Sequence, residues 1–120
     1  MTDNNHFKKN LSEPWFSLIQ LNHKKCEGRL KKNDFAIIKK GDCITFENNE
    51  LGFLRSFKVK ITEINEFKNF KEYLEFEGLD KCVPGIDNIE DGQLIYYIYY
   101  SKEDEVKYGI VSLHMKVENN

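Results

Sequence analysis

The chain has 120 residues, of which 40% are apolar and 32% charged, with a formal net charge of −2. That is enough for one domain with a real core and too little for two ordinary ones, and nine Phe and six Tyr exclude a disordered chain. No apolar run approaches the roughly 18 residues of a membrane span, and the opening residues 1–10 lack the apolar stretch of a signal peptide, so a cytosolic or nuclear protein is expected.

Residues 1–11 are polar and aperiodic, which predicts a frayed tail. Ser12-Glu13-Pro14 has the form of a helix start, and Trp15, Leu18 and Ile19 follow at helical spacing, with an exit expected near Asn22-His23. Residues 26–30 alternate as a half-buried strand does. Asp34 is placed to cap a short turn through Ile38, Lys40-Gly41-Asp42 reads as a turn, and residues 43–46 read as the next strand, with a loop at Asn48-Asn49-Glu50. In residues 57–62, Phe57, Val59 and Ile61 alternate with Lys58, Lys60 and Thr62; in residues 110–117, Val111, Leu113, Met115 and Val117 alternate with polar residues. Both predict strands with one core face. Between them, Phe67, Phe70 and Leu74 fit a helix ending near Gly78, and Val83-Pro84-Gly85 fits a turn. Residues 94–100 have strand propensity, but a cap at Asp87 or Asn88 with acids in the first turn argues for a helix. Helices interspersed with short alternating strands imply an α+β or barrel architecture.

Charge is unevenly distributed along the chain. Residues 1–60 carry 12 Lys and Arg against 7 Asp and Glu, and residues 61–120 carry 6 against 13. A basic half can present a phosphate-binding surface, although halves of a sequence need not form separate faces of a fold. The cysteines, Cys26, Cys43 and Cys82, show no CxxC or Cys/His spacing; they read as free, buried or semi-buried thiols, and no metal site is expected. Phosphate-loop, dinucleotide, nucleophile-elbow and zinc-protease motifs are absent, so no cofactor is expected.

The sharpest local feature is Lys24-Lys25-Cys26-Glu27-Gly28-Arg29. On a strand, Glu27 and Arg29 project from one face, roughly 7 Å apart, with Cys26, Gly28 and Leu30 on the other. Lys24 sits where its flexible arm reaches the charged face. Such a trio can hold a phosphate, orient a base edge or polarise a carbonyl; a solvated ion-pair surface would present the same residues.

Lys24-x-x-Glu27-x-Arg29 followed by Lys40-Gly41-Asp42-x-Ile44-x-Phe46 resembles the signature of the ASCH (activating signal cointegrator homology) domain family. Residues 79–85, Leu-Asp-Lys-Cys-Val-Pro-Gly, and residues 99–110, from Tyr99 to Ile110, resemble that family as well. The resemblance spans residues 12 to 117, leaving 1–11 and 118–120 as tails. It implies a PUA-like β-barrel with flanking helices, supports the helix at 94–100, and implies that Lys24, Glu27 and Arg29 point into a cleft beside the first helix. Small enzymatic members that resemble acetylcytidine amidohydrolases have Lys-x-x-Thr-x-Arg, with Thr as the proposed nucleophile. Here Glu27 stands at the Thr position and lacks the hydroxyl; a further acid of that branch falls near Glu75 or Glu77.

Further residues extend the candidate site. Glu105 or Tyr108 is placed either in the floor of the cleft or, respectively, in a solvated acidic turn and in packing on the barrel. Trp15 and the tyrosines 96, 97, 99 and 100 could stack bases, with Trp15 the best placed. His23 is the histidine nearest the trio, and a polar helix end accounts for it.

The leading expectation is binding of RNA or a nucleotide derivative through Lys24, Glu27 and Arg29. The alternatives are a hydrolase on RNA or modified nucleosides, with Lys24 and Glu27 in acid–base roles, and an adaptor that meets a protein partner through Glu103, Asp104 and Glu105.

Overall fold

The computed structural model describes residues 4–118. Five strands form one sheet: β1 (His6–Asn10), β2 (Cys26–Leu30), β3 (Cys43–Asn48), β4 (Arg55–Phe67) and β5 (Ile110–Glu118), in the order β1-β3-β4-β5-β2. The β1–β3 pair is parallel and the other three pairs are antiparallel. Five α-helices accompany the sheet among the described residues: α1 (Trp15–Gln20), α2 (Phe70–Glu77), α3 (Leu79–Cys82), α4 (Ile89–Tyr99) and α5 (Lys102–Tyr108), with a short 3₁₀ helix at Asn33–Ala36. The architecture is α+β, a sheet curled into a half-barrel with β1 and β2 at its edges. No helix among the described residues is long and apolar enough to cross a membrane.

Two cores hold the layers together. The alternating residues Ile44 and Phe46 of β3, Val59 and Ile61 of β4, and Val111 and Leu113 of β5 bury against Phe16 and Ile19 of α1. An irregularity between Ile61 and Glu63 in the β4–β5 pairing lets the long strand bend. On the other face of β2 and β5, Cys26, Leu30 and Ile110 pack with Phe70, Tyr73, Leu74, Cys82, Val83 and Tyr96. Strand β2 is therefore covered on both faces, and the expected half-buried strand is corrected to a nearly fully buried one.

The expected frayed segment over 1–11 is corrected as well. Residues 6–10 form β1, in parallel register with Cys43–Glu47, and only Phe7 and Lys9 turn partly inward. The buried carboxylate of Asp42 receives the main-chain N–H of Asn5 and that of Lys39, both at 2.9 Å, which ties the segment to the turn before β3. Glu118 belongs to β5 rather than to a tail; residues 1–3 and 119–120 lie outside the described residues.

Capping corrects two further details. Ser12 does not cap α1: Pro14 holds the N-cap position, and the carboxylate of the preceding Glu13 accepts from the N–H and the hydroxyl of Ser17, at 2.9 and 2.6 Å. Phe67 ends β4 instead of opening a helix, because Asn69 accepts from Glu72 N–H and starts α2 at Phe70. The tyrosine-rich segment is helical, with Asn88 accepting from Asp91 N–H at 2.9 Å.

Candidate functional site

Helix α1 ends in a left-handed residue, Asn22, at φ 66°. The carbonyl of Leu18 then accepts the N–H groups of both His23 and Lys24, at 2.8 and 2.9 Å. This sharp exit turns the Lys24 side chain inward, where only 1% of it is exposed. Its ammonium donates to the carbonyl of Cys26 at 2.7 Å and to the carbonyl of Cys82, and it lies 3.3 Å from Glu27 Oε1. The Trp15 ring covers it, with the centroid 5.6 Å away. An ammonium has three N–H donors, and three oxygens surround this one.

Glu27 links Lys24 to Arg29, accepting from Arg29 Nε at 2.9 Å. Burial would raise the Glu27 carboxyl, but the adjacent charges of Lys24 and Arg29, with their hydrogen bonds, hold it below the usual carboxylate range. Arg29 Nη2 reaches across to the carbonyl of Asn10 at 3.2 Å, a link from edge strand β2 to the end of edge strand β1. Three of the five guanidinium N–H donors have no protein acceptor among the described residues. The trio sums to one positive charge.

These side chains border a cavity of about 250 Å³. Its lining includes Leu11, Ser12 and Trp15 on the α1 side and Val83, Ile95, Tyr96, Tyr99 and Tyr100 on the α4 side, with Lys24, Glu27, Gly28 and Arg29 at its polar end. Ser12 and Tyr99 hydroxyls meet at 2.9 Å and bridge the two walls. Tyr100 is pushed up to about 12, first by burial and also by the Glu27 charge against the opposing pull of Arg29, so it stays a neutral phenol. Its hydroxyl has no hydrogen-bond partner among the described residues.

Lys24, Glu27, Arg29 and Trp15 thus come together around one hollow. Glu105 and Tyr108 do not join them. Glu105 is buried between helices, accepting from Phe70 N–H and from the Tyr97 hydroxyl, each at 2.8 Å. Its acidic neighbours belong to α5, capped by Ser101, and not to a turn. Tyr108 sits between the ammonium groups of Lys32 and Lys107, away from the cavity. Tyr97 is likewise outside the lining, and so are His23, Glu75 and Glu77. Leu11 was hidden in a segment read as tail, Ser12 was read only as a helix start, and Ile95 lies in a helix whose period was masked by its uniform run of apolar and aromatic residues.

Comparison with known proteins places the fold. The ASCH domain family profile matches residues 10–118. The crystal structure of hypothetical protein PH0355 is similar at 36% identity and a TM-score of 0.85, over 94% of this chain and 99% of that one. The solution structure of protein PF0455 from Pyrococcus furiosus is similar at 36% identity and a TM-score of 0.77, over 96% of this chain and 99% of that one. None of the curated proteins compared matches the sequence. The family match supports a general role in RNA binding or a related activity. With the profile spanning nearly the whole chain and two solved structures sharing its fold, the protein belongs to the ASCH domain family.

Proposed function

We propose that the cavity beside α1 binds a single base or nucleoside, presented by RNA or by a nucleotide derivative. The observation that carries this reading is the pairing of an aromatic wall with unused donors of a half-buried guanidinium: Trp15, Tyr99 and Tyr100 line the same cavity as Arg29. A flat ring gains about 1–3 kcal/mol by stacking on such side chains. Arg29 and Tyr100 then offer N–H and O–H donors to base carbonyls or ring nitrogens, and Glu27 has lone pairs left for an amino group. At about 250 Å³ the space lies below the roughly 300–1,000 Å³ of drug-sized sites, which suits one base and not a folded strand.

The arrangement disfavours the hydrolase reading. Lys24 spends its donors on Cys26, Cys82 and Glu27, which leaves no lone pair facing the cavity for a general base. Glu27 has no hydroxyl, and Glu77 bonds to Ser112, Asn65 and His114 instead of to the trio.

Trp15 is the one tryptophan of the chain, so its fluorescence reports on the cavity directly. Titration with nucleosides, nucleoside monophosphates and a short single-stranded RNA should quench or shift that emission. Arg29→Met should weaken binding at least tenfold, and the RNA but not the free nucleosides should bind less tightly as salt rises. Unchanged emission with every probe, or equal affinity in Arg29→Met, would remove the cavity from this role.

A further inference from the structure

On the opposite face of β2 from Glu27 lies a second polar cluster that the base-binding reading does not use. Cys26 and His114 are directly opposed in the β2–β5 register. Cys26 Sγ lies 3.5 Å from His114 Nε2, and Glu77 Oε2, at the end of α2, lies 2.7 Å from the same nitrogen. The three ligand atoms fall within 4.8 Å of one another. We infer that Cys26, Glu77 and His114 form a site for one thiophilic divalent cation, with zinc the best match to their chemistry.

The donor set argues for a borderline-soft metal. Thiolate and imidazole select zinc or cobalt over magnesium and calcium, which prefer all-oxygen shells. Bond lengths of about 2.3 Å to sulfur and 2.0–2.1 Å to nitrogen put adjacent tetrahedral ligands about 3.6 Å apart, and Cys26 and His114 already stand at 3.5 Å. Glu77 and His114 must part from 2.7 Å to about 3.4 Å, which replaces their hydrogen bond by two metal bonds. A dication, one thiolate and one carboxylate are neutral together, as a site this enclosed requires. Cys26 is fully buried and the Glu77 side chain is 3% exposed.

Outer contacts hold the ligands in place. Ser112 Oγ and Asn65 Nδ2 donate to Glu77 Oε2 at 2.7 and 3.1 Å and fix its orientation. The His114 side chain is 22% exposed, so an ion can enter from solvent there, and the flexible Glu63 carboxylate stands 3.8 Å from its Nε2. The fourth position is therefore open to water or to Glu63, while three protein ligands are built in. Loading releases the thiol proton of Cys26 to solvent and involves no change of oxidation state. Because the thiol proton must leave for the metal to bind, affinity increases with pH.

The test is titration of the metal-free, full-length chain with Co²⁺. A thiolate-to-cobalt charge-transfer band and intense tetrahedral visible bands should saturate at one equivalent and vanish on adding Zn²⁺. Cys26→Ser should abolish the charge-transfer band, His114→Gln should weaken binding at least tenfold, and Cys43→Ser should leave both unchanged. If Cys26→Ser fails to fold, the partly exposed His114→Gln decides. Absence of the bands in the unaltered chain overturns the site, as does a charge-transfer band that survives in Cys26→Ser or an undiminished cobalt affinity in His114→Gln.

Discussion

Glu27 Oε1 stands 3.3 Å from the ammonium of Lys24, and the two side chains are only 7% and 1% exposed. An ion pair so withdrawn from water owes little to mutual attraction alone, because desolvation opposes it. It persists because carbonyls and Arg29 satisfy the remaining donors and lone pairs. Removing one partner strands the other. Lys24→Met should therefore cost about 3–5 kcal/mol in urea unfolding. The double variant Lys24→Met/Glu27→Met should cost less than the sum of the single changes by at least about 1 kcal/mol. Strict additivity would show that the two charges do not depend on each other.

Acid should weaken the fold through the same carboxylate. Glu27 is held below its ordinary range by Lys24 and Arg29 against the effect of burial, and Glu77 and Asp42 are lowered by their hydrogen bonds, again against burial. A carboxyl lowered in the folded state stabilises it fully above the unfolded value of about 4 and progressively loses that contribution below it. Stability should be level from pH 7 to about 5 and fall beneath that. Glu27→Gln, lower at neutral pH, should fall less steeply; chemical denaturation across that window gives both slopes.

Gly28 lies under the cavity with the Tyr73 ring pressed against its other side. A Cβ at this position would meet Tyr73 ring carbons at 2.7 Å, and Tyr73 is fully buried with its hydroxyl bonded to that of Tyr96. The ring has nowhere to move. Gly28→Ala should lower stability by about 1–3 kcal/mol, and Tyr73→Phe should not rescue it, since the clash involves ring carbons. Thermal unfolding of the two variants and their combination checks this.

Glu105 supports helix packing and not the cavity. In Glu105→Ala the N–H of Phe70 and the hydroxyl of Tyr97 lose their acceptor, which should cost about 1–3 kcal/mol for a buried donor. Base or RNA affinity, read by Trp15 emission, should stay within twofold of the unaltered chain. A large loss of affinity with stability intact would return Glu105 to the site.

The readable parts of this fold are those whose signal is local. The period of two in residues 57–62 and 110–117 appears as β4 and β5 because alternation fixes which side chains can share a core. Asn88 settled the tyrosine-rich segment, since a cap three residues before Asp91 satisfies helix donors whatever lies around it. Strand β1 gave no such signal. Its His-Phe-Lys-Lys-Asn run is a strand because β3 offers a free edge in parallel register.

By itself the sequence determined that Glu27 and Arg29 share one side of a strand with Lys24 just ahead of them, because spacing of two along a strand returns to the same face. Only the tertiary structure decided what that side faces: α1 and α4 close over it and turn an ion-pair surface into a desolvated hollow. It also decided what lies behind. Cys26, Glu77 and His114 meet on the reverse of the same strand, with 88 positions separating the first from the last. Sheet pairing erases distance along the chain, so a cluster of that kind leaves no trace in spacing.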